Sequence, residues 1–107
     1  MDPFEILALL KSFDWDEGNI NKNFVAHDVS HFECEEIFFN IPILIQQDQK
    51  HKQNEKRYFA LGRTDLHRYL FIAFTIRDTA LRVISARDMN KREVRIYEQS
   101  KKRNSNI

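Results

Sequence analysis

Residues 67–87, HRYLFIAFTIRDTALRVISAR, decide the fold of this chain of 107 residues. The two halves of the segment, residues 67–77 and 80–87, are rich in the β-branched and aromatic side chains that favour strands. Only Asp78-Thr79 separates them, which is the length of a tight hairpin turn. The segment therefore predicts two antiparallel strands that pair as a hairpin.

The short turn also predicts which side chains share a face of the sheet. The expected pairs are Arg77 with Ala80, Thr75 with Arg82, and Ala73 with Ile84. Alternate side chains of a strand point to opposite faces, so one face is apolar. It carries Leu70, Ile72, Phe74, Ile76, Leu81 and Val83, and Arg87 shares its parity at the end of the sheet. The other face carries Phe71, Thr75, Arg77 and Arg82, a set that suits phosphate binding and base stacking.

Caps and periodicity predict three helices before the hairpin. The first begins with Asp2 as N-cap and Pro3 as its first residue, and the second is capped by Asp16. The third begins with a capping box formed by Ser30 and Glu33. On the second helix, we expect a buried stripe formed by Ile20, Asn23, Phe24 and His27.

Two further strands are predicted between these helices and the hairpin, over residues 41–45 and 58–61, with a polar loop over 46–54. If Arg63 pairs with Arg68, Lys56 and Tyr58 lie on the polar face and Arg57 lies on the core side. A bulge would exchange these positions, so the sequence leaves the choice between Lys56 and Arg57 open.

A last helix begins at Asn90, with Glu93 completing its cap, and ends in the basic residues 101–103. The predicted fold class is α+β in one domain over residues 1–107. It is an antiparallel sheet of three to five strands with the N-terminal helices packed on one face and a C-terminal helix. We expect residues 1–12 to form an N-terminal extension helix and residues 99–107 to form a basic, frayed tail.

Several classes of protein do not fit this composition. No apolar run approaches the roughly 20 residues of a membrane span, and no signal peptide is evident, so we expect a cytoplasmic protein. The single cysteine, Cys34, is expected to fill the core, and the four histidines lack zinc spacing. Gly18 and Gly62 belong to no phosphate-binding loop. We therefore expect no metal and no cofactor.

Charged residues are unevenly distributed along the chain. Residues 77–107 carry nine basic and four acidic side chains, whereas residues 1–76 have a net charge of −4, giving +1 for the whole chain. Such a cationic end suits a polyanion such as RNA, or an acidic protein partner. The alternative is a solvated helix and tail with no binding role.

A series of short motifs occurs along the chain in a definite order. They are residues 13–16 (FDWD), 26–29 (AHDV), 55–58 (EKRY), 61–62 (LG), 74–77 (FTIR), 82–87 (RVISAR) and 91–98 (KREVRIYE), with Phe38, Pro42 and Arg68. Over about residues 13–98 this order resembles the BrnT toxin family. Ala26 and Asp28 stand where that family has lysine and glycine.

The resemblance implies a RelE-like fold and the ribonuclease toxin of a type II toxin–antitoxin pair. It also implies a BrnA-like antitoxin with a ribbon-helix-helix domain, and binding of operator DNA only through that antitoxin. The alternative is a non-catalytic module whose basic face docks an antitoxin or nucleic acid.

For RNA cleavage by metal-independent attack of the 2′-hydroxyl, we expect cations at the phosphate and a pair of groups that move protons. The candidate catalytic residues are Arg57, Arg77 and Arg82 for the phosphate, and Lys56, Tyr58, Glu55 and His27 for proton transfer. The candidate RNA-binding residues are Thr75, Phe71, Arg87, Lys91 and Arg92.

Overall fold

The computed structural model describes residues 3–50 and 55–105, which form one sheet with helices on both of its faces. The elements are α1 (Pro3–Leu9), β1 (Ser12–Phe13), α2 (Glu17–His27), α3 (His31–Ile37), β2 (Leu44–Gln47), β3 (Arg57–Arg63), β4 (Tyr69–Arg77), β5 (Ala80–Asp88) and α4 (Lys91–Ser105). Asp2, the predicted cap of α1, and part of the predicted polar loop lie outside the described residues. No described helix has the length and apolar character needed to cross a bilayer.

The five strands are ordered β1-β5-β4-β3-β2. The pairs β2–β3, β3–β4 and β4–β5 are antiparallel, whereas β1 runs parallel to β5. The predicted α+β class with three to five strands is confirmed. The expectation of an entirely antiparallel sheet is wrong at β1, because the long chain between β1 and β5 lets the two strands run in the same direction.

The hairpin of β4 and β5 has the predicted register next to its turn. Arg77 lies opposite Ala80 and Thr75 opposite Arg82. Further from the turn the prediction is wrong, since Ala73 pairs with Ser85 and Ile84 is an extra residue in a β-bulge. The bulge changes the parity of the rest of β5, so Arg87 lies opposite Phe71 and on its face rather than with the apolar side chains.

One face of the sheet, the inner face, packs against α1 and α3, whereas α2 packs along β5. Its buried side chains include Leu70, Ile72, Phe74, Leu81 and Val83, which meet Val29, Cys34 and Ile37 in the core. At Gly62 of β3, an added Cβ would lie 2.9 Å from the Cβ of Ile37. The close approach of α3 to the sheet therefore requires glycine at this position.

The register of β3 decides which of its side chains reach the opposite, outer face. Arg63 pairs with Tyr69 rather than with Arg68, and Arg57 lies opposite Thr75. This difference of one residue exchanges the two faces of β3. Arg57 is therefore on the outer face, and Tyr58 is 7% exposed and stacked on Phe74 in the core, so its predicted position on the polar face is wrong.

Strand β2 and helix α2 also differ from the prediction in detail. Strand β2 covers Leu44–Gln47, three residues later than expected at its start. Helix α2 has the predicted N-cap, Asp16, but its buried residues are Asn19 and Asn23. Phe24 is 56% exposed and His27 is exposed, so of the four residues expected in the buried stripe only Asn23 is buried.

One of the buried asparagines, Asn23, binds the part of β5 that has no neighbouring strand. The Oδ1 atom of Asn23 accepts a hydrogen bond from the backbone N–H of Ala86 at 2.9 Å, and its Nδ2 donates to the carbonyl of Asn19 at 3.3 Å. A polar helix face satisfies a strand edge that an apolar one would leave unpaired.

The capping boxes predicted for α3 and α4 are both confirmed. Ser30 and Glu33 exchange hydrogen bonds between side chain and backbone, as do Asn90 and Glu93. Helix α4 continues to Ser105, through much of the stretch in which a frayed tail was expected. It lies on the outer face, where Tyr97 is buried against Tyr69.

The contact between Asn23 and Ala86 provides a test of this packing. Replacing Asn23 with alanine leaves a buried N–H without its acceptor, so we expect Asn23→Ala to lower the free energy of unfolding by about 1–3 kcal/mol. Denaturant titration measures the change. The matched control is Asn21→Ala on the exposed side of the same helix, which gains the same helix propensity and should change stability by less than about 0.5 kcal/mol. Equal stabilities for the two variants would contradict the assigned role of Asn23.

Candidate functional site

Three neighbouring strands place a row of polar side chains across the outer face. Arg57 of β3, Thr75 of β4 and Arg82 of β5 lie opposite one another in register. At the usual spacing of strands, the Cα atoms of the two arginines are about 10 Å apart. Arg77 lies two residues beyond Thr75 on the same face, so three guanidinium groups come from one small area of the sheet.

These side chains surround a cleft of about 470 Å³ that we call the arginine cleft. Its volume falls within the roughly 300–1,000 Å³ of small-molecule sites. The side chains that line the cleft come from β3, β4, β5 and the first turns of α2. They include Asp16, Asn19, Lys22, Glu55, Arg57, Thr75, Arg77 and Arg82.

The three arginines differ in how they are held. Arg82 is held by two carboxylates, with Nη2 2.8 Å from Asp16 and Nη1 3.5 Å from Asp14. Arg77 donates from Nε to Glu55 at 2.8 Å, and both of these side chains are about half exposed. Within the described part of the chain, the guanidinium of Arg57 makes no hydrogen bond or ion pair.

These ion pairs leave room for an anionic ligand. An exposed pair such as Arg77–Glu55 contributes only about 0–1 kcal/mol. A phosphate that accepts two parallel hydrogen bonds from a guanidinium forms a stronger contact. The carboxylates therefore orient Arg77 and Arg82 without preventing a phosphate from approaching them.

Asp16 takes part in both the helix cap and the cleft. Its pKa is lowered from the ordinary value of 3.8, first by the backbone N–H of Asn19 and then by the hydrogen bond from Arg82. Asp16 also raises the pKa of Arg82. The N-terminus of α2 thus keeps a charged acceptor beside Arg82.

The hydroxyl of Thr75 makes a structural contact and does not face solvent. Its side chain is almost fully buried, and Oγ1 donates a hydrogen bond to the backbone carbonyl of Lys56 at 2.8 Å. This contact ties the start of β3 to β4 directly beside Arg57. Thr75 was one of the predicted RNA-binding residues. Its hydroxyl hydrogen is instead donated to the protein backbone, in a contact that holds the strands beneath the cleft.

The structure brings together five of the residues selected from the sequence, Glu55, Arg57, Thr75, Arg77 and Arg82. It separates Tyr58 and His27 from them. Tyr58 lies on the inner face, and His27 lies at the end of α2, where its backbone carbonyl accepts a hydrogen bond from Arg68. The side chain of Lys56 is exposed and does not line the cleft.

The remaining predicted RNA-binding residues lie beside α4. Arg87 is 4.1 Å from the centre of the Phe71 ring and donates two hydrogen bonds to Glu93, at 2.8 and 3.0 Å. Lys91 and Arg92 lie in the first turn of α4 and are exposed. None of these four side chains lines the arginine cleft.

Sequence reasoning missed Asp14, Asp16 and Lys22 as neighbours of the site. Asp16 had a local signal, but that signal predicted a helix cap and nothing more. Its contact with Arg82 joins residues 66 positions apart in the chain. Such a contact becomes visible only once α2 is packed along β5.

The thiol of Cys34 does not line the cleft. Cys34 is buried, as predicted, and burial raises the pKa of its thiol to about 12. Over residues 3–50 and 55–105, no group of three or more His, Cys, Asp or Glu side chains is arranged to hold a metal ion.

Comparisons with known proteins agree with this fold. Residues 15–93 match the sequence model of a family described as the ribonuclease toxin, BrnT, of type II toxin–antitoxin systems. The fold is similar to the crystal structure of the Brucella abortus ribonuclease toxin, BrnT, with a TM-score of 0.55 and 21% sequence identity. The similarity covers 75% of this chain and 97% of that one. A search of curated proteins found no match.

The two causes of the low Asp16 pKa can be separated by titration. We expect carboxyl NMR to give wild-type Asp16 a pKa below 3.8. In Arg82→Gln the pKa should rise but stay below 3.8, because the N–H of Asn19 is the larger cause. Since the folded-state pKa is lowered, the stabilisation by Asp16 is present above pH 3.8 and is lost as the pH falls through the folded-state pKa.

The control for this titration is Arg77→Gln, which removes a guanidinium from the same cleft but from a different carboxylate partner. The Asp16 pKa should not change in this variant. An Asp16 pKa that is the same in Arg82→Gln and in the wild type would contradict the assignment.

Proposed function

The chain belongs to the BrnT family of ribonuclease toxins of type II toxin–antitoxin systems, and from this premise we propose that it cleaves RNA in the arginine cleft. The observation that carries the proposal is the convergence of Arg57, Arg77 and Arg82 on one cleft of the outer face. Three cations in one small volume suit a phosphodiester better than a neutral ligand.

In the proposed reaction, the 2′-oxygen of a ribose attacks the adjacent phosphorus. A new 2′-O–P bond forms, the P–O5′ bond breaks, and the products carry a 2′,3′-cyclic phosphate and a 5′-hydroxyl. Negative charge grows on the non-bridging oxygens in the transition state. Donors fixed before the reaction stabilise this charge most effectively.

The three arginines divide this task according to how they are held. Arg57 makes no ion pair within the described residues, so it binds the phosphate without first releasing a carboxylate. Arg82 is held by Asp14 and Asp16 and presents a fixed positive charge at the wall of the cleft. Arg77 keeps its terminal nitrogens for the phosphate, because its ion pair uses Nε.

The 2′-hydroxyl must lose a proton, and the leaving O5′ must gain one. We assign the first step to Glu55, whose carboxylate lines the cleft 2.8 Å from Nε of Arg77 and is about half exposed. We assign the second step to Lys22, which also lines the cleft and whose ammonium group donates one hydrogen bond to the carbonyl of Ile84 at 3.4 Å and has further donor hydrogens. Glu55 and Lys22 line the cleft, whereas Tyr58 and His27, the other candidates for proton transfer, do not.

The proposal extends to the partner. A type II toxin is neutralised by a protein antitoxin, and we propose an antitoxin of the BrnA-like kind with a ribbon-helix-helix domain. In this scheme the toxin acts on RNA in the cytoplasm and reaches operator DNA only through the antitoxin.

Arg57 gives the cleanest test of the site. We expect Arg57→Gln to lower the rate of cleavage of an RNA oligonucleotide by about 100-fold, the effect of losing one donor to a transition-state oxyanion. Because the side chain makes no ion pair among the described residues, the melting temperature should change little. The control is Arg103→Gln, which removes an exposed arginine far along α4.

Wild-type-like cleavage by Arg57→Gln would show that the cleft is not the active site. A wild-type protein that neither cleaves RNA nor arrests bacterial growth when induced alone would favour a non-catalytic binding module instead.

The proposed chemistry also predicts how cleavage depends on metal and on the 2′-hydroxyl. The nucleophile belongs to the substrate, so no metal-activated water is required. We expect the cleavage rate to be unchanged in excess EDTA and to fall to background when the scissile nucleotide is 2′-deoxy. Mass spectrometry of the products should find a cyclic phosphate end. Loss of activity in EDTA, restored by a divalent cation, would contradict the proposal.

A further inference from the structure

A second cavity lies on the outer face, between the sheet and α4. Its volume is about 630 Å³. Its floor includes Leu44, Leu61 and Phe71, which lie opposite one another on β2, β3 and β4. Phe59 extends the floor, and Ile96 of α4 forms part of the wall. We call this cavity the apolar groove.

The apolar groove is separate from the arginine cleft but close to it. Phe71 is four residues from Thr75 along β4, or about 13 Å. On β3, Phe59 is only two residues from Arg57 and on the same face, or about 7 Å. A segment seated in the groove would therefore end beside the cleft.

The lining of the groove favours apolar side chains over nucleotides. Leu44, Phe59, Leu61 and Phe71 are each partly exposed, and Ile96 remains 42% exposed on the helix above them. The one arginine that touches the ring of Phe71, Arg87, is occupied by Glu93. The floor formed by the strands is thus apolar, and among the described residues that line the cavity the only cation is Arg92 of α4, at its wall.

Helix α4, whose first turns border the groove, has the opposite character. Residues 91–103 of α4 carry six basic and two acidic side chains. Glu93 is bonded to Arg87 and to the N-terminus of its own helix, and Glu98 is bonded to Tyr69 and Lys101. Five cations of this helix form no ion pair within the described part of the chain. They are Lys91, Arg92, Arg95, Lys102 and Arg103.

We propose that the apolar groove and the basic surface of α4 form the docking surface for the antitoxin. The segment that docks is acidic and amphipathic, with apolar side chains in the groove and carboxylates against α4, the arrangement of helix-in-groove recognition. The proposal rests on the proposed function in that a type II toxin has a protein antitoxin. Seated there, the segment neutralises the toxin by closing the approach to the arginine cleft beside Phe59.

The test compares two substitutions that add the same positive charge to α4. Ile96→Lys places an ammonium in the wall of the groove, whereas Gln99→Lys adds one on an exposed position that does not line it. The probe is the purified product of the reading frame adjacent to this gene, and calorimetry measures its affinity. We expect Ile96→Lys to weaken binding by about tenfold or more and Gln99→Lys to leave it within about twofold.

A second variant tests the charged half of the surface and does not touch the groove. Arg95→Glu reverses one of the cations that lacks an ion pair and should also weaken binding, more strongly at low salt than at high salt. Without the antitoxin, all three variants should cleave RNA and arrest growth as the wild type does. With it, growth should recover for the wild type and for Gln99→Lys, but not for Ile96→Lys.

The outcomes separate this proposal from the proposed function. Wild-type affinity in both Ile96→Lys and Arg95→Glu, or no binding by the wild type, would overturn the docking surface while RNA cleavage still stood. Altered RNA cleavage by Ile96→Lys with unchanged antitoxin affinity would assign the groove to RNA and also overturn it. A wild type without ribonuclease activity would refute the proposed function, and the affinity comparison would still decide the docking surface.

Discussion

The register of β3, β4 and β5 is the constraint on which both surfaces of this protein depend. One row across the sheet joins Arg57, Thr75 and Arg82, and a second joins Leu61, Phe71 and Arg87. A slip of one residue in β3 would move Arg57 and Leu61 to the inner face and bring Tyr58 out of the core. Packing on the inner face therefore maintains the register of the outer face, because burial of Tyr58 and Ala60 makes such a slip unfavourable.

The bulge at Ile84 allows β5 to contribute an outward-facing arginine to both rows. Before the bulge, Arg82 faces outward and Val83 is buried. After it, Ala86 is buried and Arg87 faces outward beside Phe71. If the same residues alternated strictly, with no bulge, Arg87 would lie opposite Leu70 on the inner face, where its charge would be costly.

Helix α2 links the stability of the fold to the geometry of the cleft. Its Asn23 binds the open edge of β5, and its N-cap, Asp16, binds Arg82 on the same strand. Arg82 is thus oriented by a helix whose Asn23 side chain is hydrogen-bonded to the backbone of the same strand. The basic residues of α4 are used differently, since most of them have no carboxylate within the described chain and are available to a partner.

The sequence by itself determined the helices, the hairpin and its turn, because caps, turn chemistry and side-chain periodicity act over a few residues. It also placed Arg77 and Arg82 on one face, since both follow from counting back to Asp78-Thr79. Only the tertiary structure decided that Arg57 rather than Lys56 joins them, that Asp16 holds Arg82, and that His27 lies apart. Those facts depend on strand register, on a bulge and on helix packing, which are set by contacts between residues far apart in the chain. No local pattern carries that information.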